Sequence, residues 1–478
     1  MRSRLSFRCT CVSFLVALFF SGAAALAALP PPVAQALTAA GIPESAVGLY
    51  VQEVGTERPL IAHGAERALN PASTMKLVTT YGALELLGPA YTWTTDIYAT
   101  GSLQNDVLAG DLIIKGSGDP KLTLENFWLM LRSLRARGIR EIRGDVVLDR
   151  SFFSAEDYDP ARFDGEALRP YNTGPDALLV NFKAITLQFI PEADARSVRL
   201  IVDPGLPQVQ VVNNLVLNDA PCGDWVSKLK IDTQGNGETA RLVIAGPYSR
   251  DCGERTRSFS LLSHRAYVAA LFTQLWRDVG GTLTGTVRDG PVPPGARLIS
   301  STRSDALSEV IRDINKYSNN VMARQLFLTL GAIGEGPPGT LEKSRNVVRQ
   351  WLAQKGMPVP ELAIDNGSGL SRIERISARS MGELLLAAFR SPVMPELMAS
   401  LPVVAADGTM RKRLANAEVA GQAHIKTGTL SGVRAIAGYV LDTRGRRVVV
   451  VFIVNHANAG NAQAAQDALL RWVYRAAR

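Results

Sequence analysis

Strand-like apolar stretches lie near both ends of this 478-residue chain, and they limit its fold more than any other feature. Residues 47–54 and 60–63 alternate like short strands around a polar turn, and residues 434–441 and 447–454 repeat the pattern near the other end. A helical periodicity follows the last of these stretches. Strands from both ends that share one sheet, with helices between them, predict an α+β architecture.

The middle of the chain has a different residue pattern. Residues 92–288 form short β-like runs separated by Gly, Pro and Asp, whereas residues 306–389 return to longer helical periodicity. At roughly 150 residues per domain, the length suggests about three domains. We therefore predict β-rich insertions into a terminal domain, with these bounds: 28–91 and 289–478 for the terminal domain, 92–175 and 250–288 for inserted domain II, and 176–249 for inserted domain III.

Residues 1–27 have the pattern of a cleavable secretory signal. Three arginines among the first eight residues precede an apolar run over residues 12–20, and small residues then lead to Ala27. A basic region, a short apolar core and an A-x-A-like site are the parts of such a signal. The run is shorter than the ~20 residues that span a bilayer. We expect cleavage after Ala27, with Ala28 as the alternative position, no stable membrane anchor, and a periplasmic location.

The charge pattern argues against a nucleic-acid partner. The formal net charge is +8, but the basic residues are spread along the chain. No Lys/Arg block carries interleaved aromatic residues, which is the usual signature of a nucleic-acid interface. We expect no nucleic-acid binding.

Cys222 and Cys252 are the two cysteines outside the predicted signal. An isolated even pair in an oxidising compartment indicates a disulfide. Two cysteines cannot complete a metal site alone, and the four histidines are scattered along the chain. The sequence therefore predicts one disulfide, no metal and no cofactor.

The first candidate for chemistry is Ser73-x-x-Lys76, at the start of a helical pattern that ends at Gly88. Residues three apart share a helix face, and the free N–H groups at a helix start favour developing negative charge. A serine hydroxyl becomes a nucleophile when a base takes its proton. A lysine can be that base when burial or a nearby cation lowers its pKa. The pattern predicts a serine nucleophile with a lysine base.

The same spacing recurs at Ser227 and Lys230, which makes a single match weak support. Residues 225–231 around it alternate like a strand, and alternation would put the two side chains on opposite faces. We expect this second match to be an exposed strand without a catalytic role.

A second candidate is Ser318-x-Asn320, directly before the apolar stretch 321–330. A loop at this helix boundary could aim both side chains into a cleft. The alternative is that Ser318 is simply an N-cap. A competing Ser344-x-Asn346 lies inside a charged helical pattern, where positions i and i+2 face apart.

The third candidate is Lys426-Thr427-Gly428-Thr429, the one K-T-G in the chain. Strand alternation puts Lys426 and Gly428 on one face, and Thr427 and Thr429 on the other. A functional role therefore needs local twist or use of the strand edge. Gly428 would let a substrate backbone lie close beside that edge.

Together, Ser73-x-x-Lys76, Ser318-x-Asn320 and Lys426-Thr-Gly resemble the signature of penicillin-binding proteins and serine β-lactamases. The order of the three motifs is the family order, and each competing match has the wrong local structure. One departure is the asparagine in the middle of the second motif, where aspartate is commoner.

Further blocks narrow the resemblance. Residues 365–372, Asp-Asn-Gly-Ser-Gly-Leu-Ser-Arg, and the short blocks at 400–402 and 407–409 resemble the D-alanyl-D-alanine carboxypeptidase/endopeptidase group of the penicillin-binding protein 4 type, peptidase family S13. Residues 110–120 and 144–149 resemble the long insertion that this group carries between its first two motifs. The resemblance covers essentially the whole chain after residue 27.

The resemblance implies a β-lactamase/transpeptidase-like catalytic domain, an antiparallel sheet with helices, with β-rich domains inserted between the first and second motifs. It also implies a serine D,D-peptidase that cleaves D-Ala-D-Ala ends and D-Ala–diamino acid cross-links through an acyl-enzyme on Ser73. Its partners would be peptidoglycan stem peptides and β-lactam antibiotics, the latter as covalent inhibitors.

The resemblance also implies roles for the catalytic residues. Ser73 would attack the carbonyl between two D-alanines while Lys76 takes its proton. Lys426 would help to keep Lys76 neutral. Ser318 would relay a proton to the leaving amine, and Asn320 would orient Lys76 and the substrate amide.

The implied substrate contacts lie on both sides of the nucleophile. Thr427 and Thr429 would bind the free carboxylate, and the backbone N–H groups of Ser73 and Thr429 would form the oxyanion hole. Arg372 and Asp149 are candidate contacts for the diamino acid. For these two, a structural salt bridge is the competing interpretation.

Two other functions share these motifs. A β-lactamase needs a dedicated base that activates water for fast deacylation. The glutamates between the second and third motifs, Glu335, Glu342, Glu361 and Glu374 among them, form no recognisable loop motif for that task. A penicillin-sensing or wall-binding module is the non-enzymatic alternative.

Overall fold

The computed structural model describes residues 28–154, 158–192 and 197–475. The predicted signal, residues 1–27, lies outside the described residues. Within those three ranges, no helix combines the length and the hydropathy of a membrane span.

Ten α-helices and twenty β-strands make up the described part of the chain. The helices are α1 (Pro31–Ala39), α2 (Lys76–Leu87), α3 (Leu124–Ala136), α4 (His264–Asp278), α5 (Leu307–Lys316), α6 (Asn320–Glu335), α7 (Leu341–Gln354), α8 (Ala378–Arg390), α9 (Met394–Ser400) and α10 (Gln463–Arg475). The strands are β1 (Val47–Glu53), β2 (Ile61–His63), β3 (Thr94–Ala99), β4 (Ser102–Gln104), β5 (Val107–Ala109), β6 (Leu112–Gly116), β7 (Glu141–Ile142), β8 (Val146–Asp149), β9 (Ile185–Glu192), β10 (Ser197–Asp203), β11 (Val209–Asn218), β12 (Lys230–Gly235), β13 (Ala240–Ser249), β14 (Arg255–Phe259), β15 (Thr282–Leu283), β16 (Val287–Asp289), β17 (Arg297–Arg303), β18 (Ala423–Leu430), β19 (Val433–Leu441) and β20 (Arg447–Asn455).

Strands from both ends of the chain form one antiparallel sheet, as the sequence predicts. Its order is β18-β19-β20-β1-β2. Both faces of the sheet are covered, which explains the unbroken apolar run in β20. Val449 and Val451 pack into the core that contains α2, whereas Val450 and Phe452 pack into the core that contains α1 and α10.

Helix α2 lies in the middle of the first of these cores. Leu77, Val78, Tyr81 and Leu84 are buried on different sides of it, next to residues of α5, α6 and α8. A helix that is apolar all round belongs in an interior. The turn before α2 contacts the edge strand β18, so the start of this buried helix lies where the sheet ends.

The chain between α2 and α5 forms the β-rich insertion that the sequence predicts. It contains a five-stranded sheet of order β16-β8-β6-β3-β17, a four-stranded sheet of order β15-β7-β5-β4, and two three-stranded sheets of orders β10-β9-β14 and β11-β13-β12. Helices α3 and α4 pack in one core with the first two sheets through residues such as Phe127, Leu131 and Phe272.

Two predicted boundaries inside this insertion are wrong. Strand β17 pairs with β3, so the predicted return to the terminal domain at 289 falls inside the inserted sheet, which continues to Arg303. Strand β14 pairs with β9, so it joins the 176–249 segment rather than the 92–175 segment. These strands are short and partly exposed, and their partners lie far away along the chain. Their own residues therefore carry little information about which sheet they join.

The structure joins Cys222 and Cys252 in the predicted disulfide, with 4.8 Å between their Cα atoms. The bridge lies beside a small separate core that includes Phe189, Leu242 and Tyr248. This core belongs to the two three-stranded sheets and shares no residues with the core around α2.

Replacing both cysteines with serine is expected to destabilise this small core by about 3–4 kcal/mol, on the chain-entropy account of a loop of this length. The chemistry of Ser73 should be partly retained because its core is separate. Alkylation of exported protein under denaturing, non-reducing conditions checks the bond itself. Two free thiols in that protein would contradict it.

Candidate active site

Ser73 lies in a single 3₁₀ turn, Ala72–Met75, that runs directly into α2. Ala72 has a φ of +46°, a left-handed conformation that non-glycine residues seldom adopt. We call Pro71–Met75 the nucleophile turn. Contacts from other parts of the chain must hold this backbone in place, because a non-glycine residue such as Ala72 does not favour this conformation on its own.

Asn70 holds this turn from three directions. Its side-chain oxygen accepts from the N–H of Ala72 at 2.9 Å, and its side-chain nitrogen donates to the Ser371 carbonyl at 2.9 Å. Its backbone N–H and C=O both bond to the side-chain amide of Asn455, at the end of β20. Neither asparagine is predicted from the sequence, because a lone asparagine has no motif around it.

Lys76 is fully buried at the first position of α2. Its Nζ lies 3.0 Å from Ser73 Oγ, and it donates to Asn320 Oδ1 at 2.6 Å and to the Ser368 carbonyl oxygen. Burial is the main cause that lowers the pKa of Lys76 well below its ordinary value, and the Lys426 ammonium adds to it. These conditions favour the neutral amine that a base requires.

The second motif lies in the loop between α5 and α6. Ser318 has a φ of +57° and its Oγ accepts from Lys426 Nζ at 2.9 Å. The N-cap of α6 is Asn319, whose side chain accepts from the N–H of Met322, so Ser318 is not the cap. Aspartate and asparagine both serve as N-caps, which gives the unusual middle residue of this motif a physical explanation.

The third motif lies on the edge strand β18. Lys426 is fully buried and donates to Ser318 Oγ and to the Thr427 carbonyl, both at 2.9 Å. Burial lowers the pKa of Lys426 to about 7. Strand β18 thereby places Lys426 next to Ser318, so the site contains a second lysine–serine pair besides Lys76 and Ser73.

Gly428 has a contact that the sequence pattern does not predict. A side chain there would come within 2.6 Å of the Pro71 carbonyl oxygen and 3.1 Å of the Ser73 nitrogen. The close approach that the sequence assigned to a substrate backbone is thus made by the nucleophile turn itself. Glycine at this position lets the edge strand and the nucleophile pack together.

Thr427 and Thr429 lie on the other face of β18, and both hydroxyls have partners. Thr427 Oγ1 donates to Thr409 Oγ1 at 2.8 Å, and Arg434 on the neighbouring strand donates to Thr429 Oγ1 at 2.7 Å. Asp407, close to Thr409, accepts from Lys316 Nζ at 2.6 Å. The 407–409 block is therefore tied to the helix that leads into the second motif.

Neither competing motif approaches this site. Ser227 lies in an exposed turn, where its hydroxyl donates to the Asp224 carbonyl, and Lys230 begins β12. The predicted strand over 225–231 is thus wrong for its first part, although the exposure is as expected. Ser344 is buried within α7 and its hydroxyl donates to the Thr340 carbonyl.

A cavity of about 420 Å³ lies between α6, the 365–373 segment and the chain after β8. Arg372 lines it and stacks over the ring of Phe163 at 4.8 Å, while its Nη1 donates to the Ser431 carbonyl. Among the described residues Arg372 forms no ion pair. Asp159 and Arg162 also line the cavity, so both signs of charge are present on its walls.

The structure does not bring Asp149 to this cavity. Its side chain is buried at the end of β8, where Oδ1 accepts from the N–H and hydroxyl of Ser151 and Oδ2 accepts from the N–H of Val292. The predicted diamino acid contact is therefore wrong, and Asp149 forms no salt bridge with any described residue. Asp159, ten residues further on, is the carboxylate that reaches the cavity wall.

The sequence model of the D-Ala-D-Ala carboxypeptidase 3 (S13) family matches residues 31–476, nearly the whole described chain. The chain belongs to the D-Ala-D-Ala carboxypeptidase 3 (S13) family. The resemblance drawn from the motifs is confirmed. Within this family the chain is a peptidase of the D-Ala-D-Ala carboxypeptidase class.

Similar proteins agree with this membership. D-alanyl-D-alanine carboxypeptidase DacB of Haemophilus influenzae is 25% identical over 425 residues, which cover 88% of each chain. D-alanyl-D-alanine carboxypeptidase of Actinomadura sp. (strain R39) is 28% identical over 437 residues, covering 88% of this chain and 80% of the relative.

A solved structure confirms the predicted fold class. Penicillin binding protein 4 (dacB) from Haemophilus influenzae superposes with a TM-score of 0.79 at 24% identity, covering 93% of this chain and 99% of that one. At this identity the likeness concerns the fold: a catalytic α+β domain with a β-rich insertion.

Proposed function

We propose that this protein is a serine-type D,D-peptidase of the periplasm that cleaves peptidoglycan stem peptides through an acyl-enzyme on Ser73. Its carboxypeptidase reaction removes a terminal D-alanine, and its endopeptidase reaction opens D-Ala–diamino acid cross-links. The observation that carries the proposal is the set of three partners around Lys76 Nζ.

A neutral lysine has two N–H bonds and one lone pair. Two partners of Lys76 Nζ, the Asn320 side-chain oxygen and the Ser368 carbonyl, can only accept hydrogen bonds. They occupy both N–H bonds, so the lone pair is left for the hydroxyl of Ser73 at 3.0 Å. This arrangement suits proton transfer from Ser73 to Lys76 as the Oγ–carbon bond forms.

The leaving group needs a proton as its bond to the carbonyl carbon breaks. Lys426 donates to Ser318 Oγ and so leaves the hydroxyl hydrogen of Ser318 free to point into the cleft. Ser318 can pass that hydrogen to the departing amine and be reprotonated through the lysines. With a β-lactam, the departing nitrogen stays attached to the acyl group.

The strand edge supplies the remaining groups. The backbone N–H groups of Ser73 and Thr429 would stabilise the oxyanion, at typically ~3–4 kcal/mol per donor. Thr427 and Thr429 would bind the substrate carboxylate by donating their hydroxyl hydrogens. Thr429 Oγ1 accepts from Arg434, which leaves its hydrogen free, and Thr427 would turn its hydrogen from Thr409 to the carboxylate. Arg434 adds a cation beside Thr429, which favours an anionic group at this end of the cleft.

The cavity beside Arg372 would take the side chain of the diamino acid. Such a side chain ends in an amine, which in some diamino acids is accompanied by a carboxylate, and the cavity wall carries Asp159 and Arg372. Leu370 and Ser371 line the same cavity, and Ser371 bonds to Asn70 next to the nucleophile turn. A stem peptide could therefore reach both the cavity and Ser73.

Two solved structures support reaction with β-lactams. The Haemophilus influenzae protein has been solved in complex with a novel β-lactam, at a TM-score of 0.75 to this chain. The Bdellovibrio bacteriovorus predatory endopeptidase Bd3459 has been solved acylated by penicillin G, at a TM-score of 0.53 and 14% identity. We propose the same covalent adduct here.

A stable penicilloyl adduct, together with release of D-alanine from peptides that end in D-Ala-D-Ala, is the expected result for this function. The adduct should persist for minutes or longer, because the Ser73 hydroxyl has no hydrogen bond to a carboxylate among the described residues and so no evident base for a water. A time course of intact mass after one equivalent of penicillin, run beside a D-alanine assay, measures both.

Each rival function has its own outcome in this experiment. Rapid loss of the adduct without release of D-alanine would indicate a β-lactamase. A stable adduct without any peptide turnover would indicate a sensor.

A further inference from the structure

Glu374 is a fully buried carboxylate close to the catalytic lysine, and the mechanism above gives it no task. Its Oε1 accepts three backbone N–H groups, from Asp365, Asn366 and Gly367, at 3.1–3.2 Å. Its Oε2 is enclosed and has no hydrogen-bond partner among the described residues. Oε1 of Glu374 thus anchors the first three residues of a loop over residues 365–371, which we call the 365–371 loop.

This loop contacts the catalytic groups at several points. The Ser368 carbonyl accepts one N–H of Lys76, and the Gly367 carbonyl accepts from Thr79, one turn further along α2. A side chain on Gly369 would overlap the Ala72 carbonyl oxygen, so the loop packs directly against the nucleophile turn. The Ser371 carbonyl accepts from Asn70, which holds the same turn.

We propose that Glu374 is a positioning residue for acylation, acting through the 365–371 loop on Lys76 and the nucleophile turn. The proposal rests on the function proposed above and identifies the residue that fixes one of the two acceptors of Lys76. If the loop relaxes, the Ser368 carbonyl no longer occupies that N–H bond. The lone pair of Lys76 is then no longer directed at Ser73.

The protonation of Glu374 supports the choice of glutamine as the conservative variant. Burial raises the pKa of Glu374 to about 7, against the opposing effect of the three N–H groups. Arg324 faces it as a cation and Asp365 faces it as an anion, while Lys76, the nearby lysine, is the amine that burial keeps neutral. Because the protonated acid is a substantial form near neutral pH, Glu374→Gln is a close mimic that keeps the accepting oxygen.

The experiment measures the rate constant of penicillin acylation at saturating penicillin and, separately, the fraction of protein that becomes acylated. For Glu374→Ala we expect the rate constant to fall by about 100-fold, since small displacements of catalytic groups have effects of this size. Glu374→Gln should stay within about threefold of the wild type, because an amide oxygen can accept the same three bonds. A residue that only stabilises the fold would lower the acylated fraction and leave the rate constant unchanged.

Glu361→Ala is the matched control. Glu361 also accepts from a backbone N–H and a side chain, Ser377 and Ser380, but it does not touch the 365–371 loop. Its acylation rate constant should equal that of the wild type. If Glu374→Ala does not fold, Glu374→Asp replaces it. The aspartate side chain is one methylene shorter, so its carboxylate cannot reach the same three N–H groups equally well. We expect its acylation rate constant to fall about tenfold, while that of Glu374→Gln is retained.

Two outcomes overturn the proposal. If folded Glu374→Ala or Glu374→Asp is acylated with the wild-type rate constant, the proposed role of Glu374 is overturned and the proposed function is not affected. Absence of acylation in the wild-type protein overturns the proposed function together with it, and the wild-type measurement keeps the two failures apart.

Discussion

Replacing Ser73 with alanine is expected to abolish covalent labelling by penicillin and to reduce release of D-alanine by at least about 10⁴-fold. Ser73 Oγ lies 3.0 Å from Nζ of the buried Lys76, at the start of a buried helix. Alanine removes the atom that would form the acyl bond and leaves the rest of the turn unchanged. Intact mass after incubation with penicillin is the measurement, and circular dichroism verifies the fold.

Ser227→Ala is the matched control for this change. Ser227 has the same S-x-x-K spacing, but it lies in an exposed turn and its hydroxyl donates to the Asp224 carbonyl. Its labelling should equal that of the wild type. Persistent labelling of the Ser73→Ala protein would falsify the assignment of the nucleophile.

The residues of the candidate active site could be predicted because their spacing has a local meaning. Ser73 and Lys76 are one helical turn apart, so a sequence pattern alone places them on one face. Ser318 could be singled out because it precedes an apolar helix, although the structure gives the cap to its neighbour Asn319. The fold class was predictable for a similar reason, since the alternation in β1 and β20 is visible in the residues themselves.

The residues that hold these groups in place could not be predicted. Asn70 and Asn455 lie 385 positions apart, and nothing in either neighbourhood indicates a partner. Glu374 acts through backbone N–H groups, which every residue possesses. Asp149 was misassigned because an acidic residue at the end of a strand has the same appearance whether it faces a ligand or, as here, bonds to its own turn.

Replacing Lys76 with alanine is expected to lower the rate of penicillin acylation by about 10³-fold, within the range that general bases contribute. Ser73 remains, but its proton has no neutral amine at 3.0 Å to move to. Lys230→Ala, in the exposed competing motif, is the matched control and should acylate at the wild-type rate. The rate constant comes from intact mass after short exposures to penicillin.

The pH dependence of acylation separates a base from a residue that only supports the fold. Protonated Lys76 cannot accept the proton of Ser73, so the wild-type rate should fall as pH falls through the pKa of Lys76, which burial places well below its ordinary value. Lys426, with a pKa of about 7, gains its charge as pH falls below neutral and then opposes protonation of Lys76. The base form of Lys76 therefore persists to lower pH than burial alone would allow. The Lys76→Ala variant should lose this acidic decline, because the base whose protonation causes it is gone and Lys426 does not take the proton of Ser73. A variant that kept the wild-type profile would point to another base.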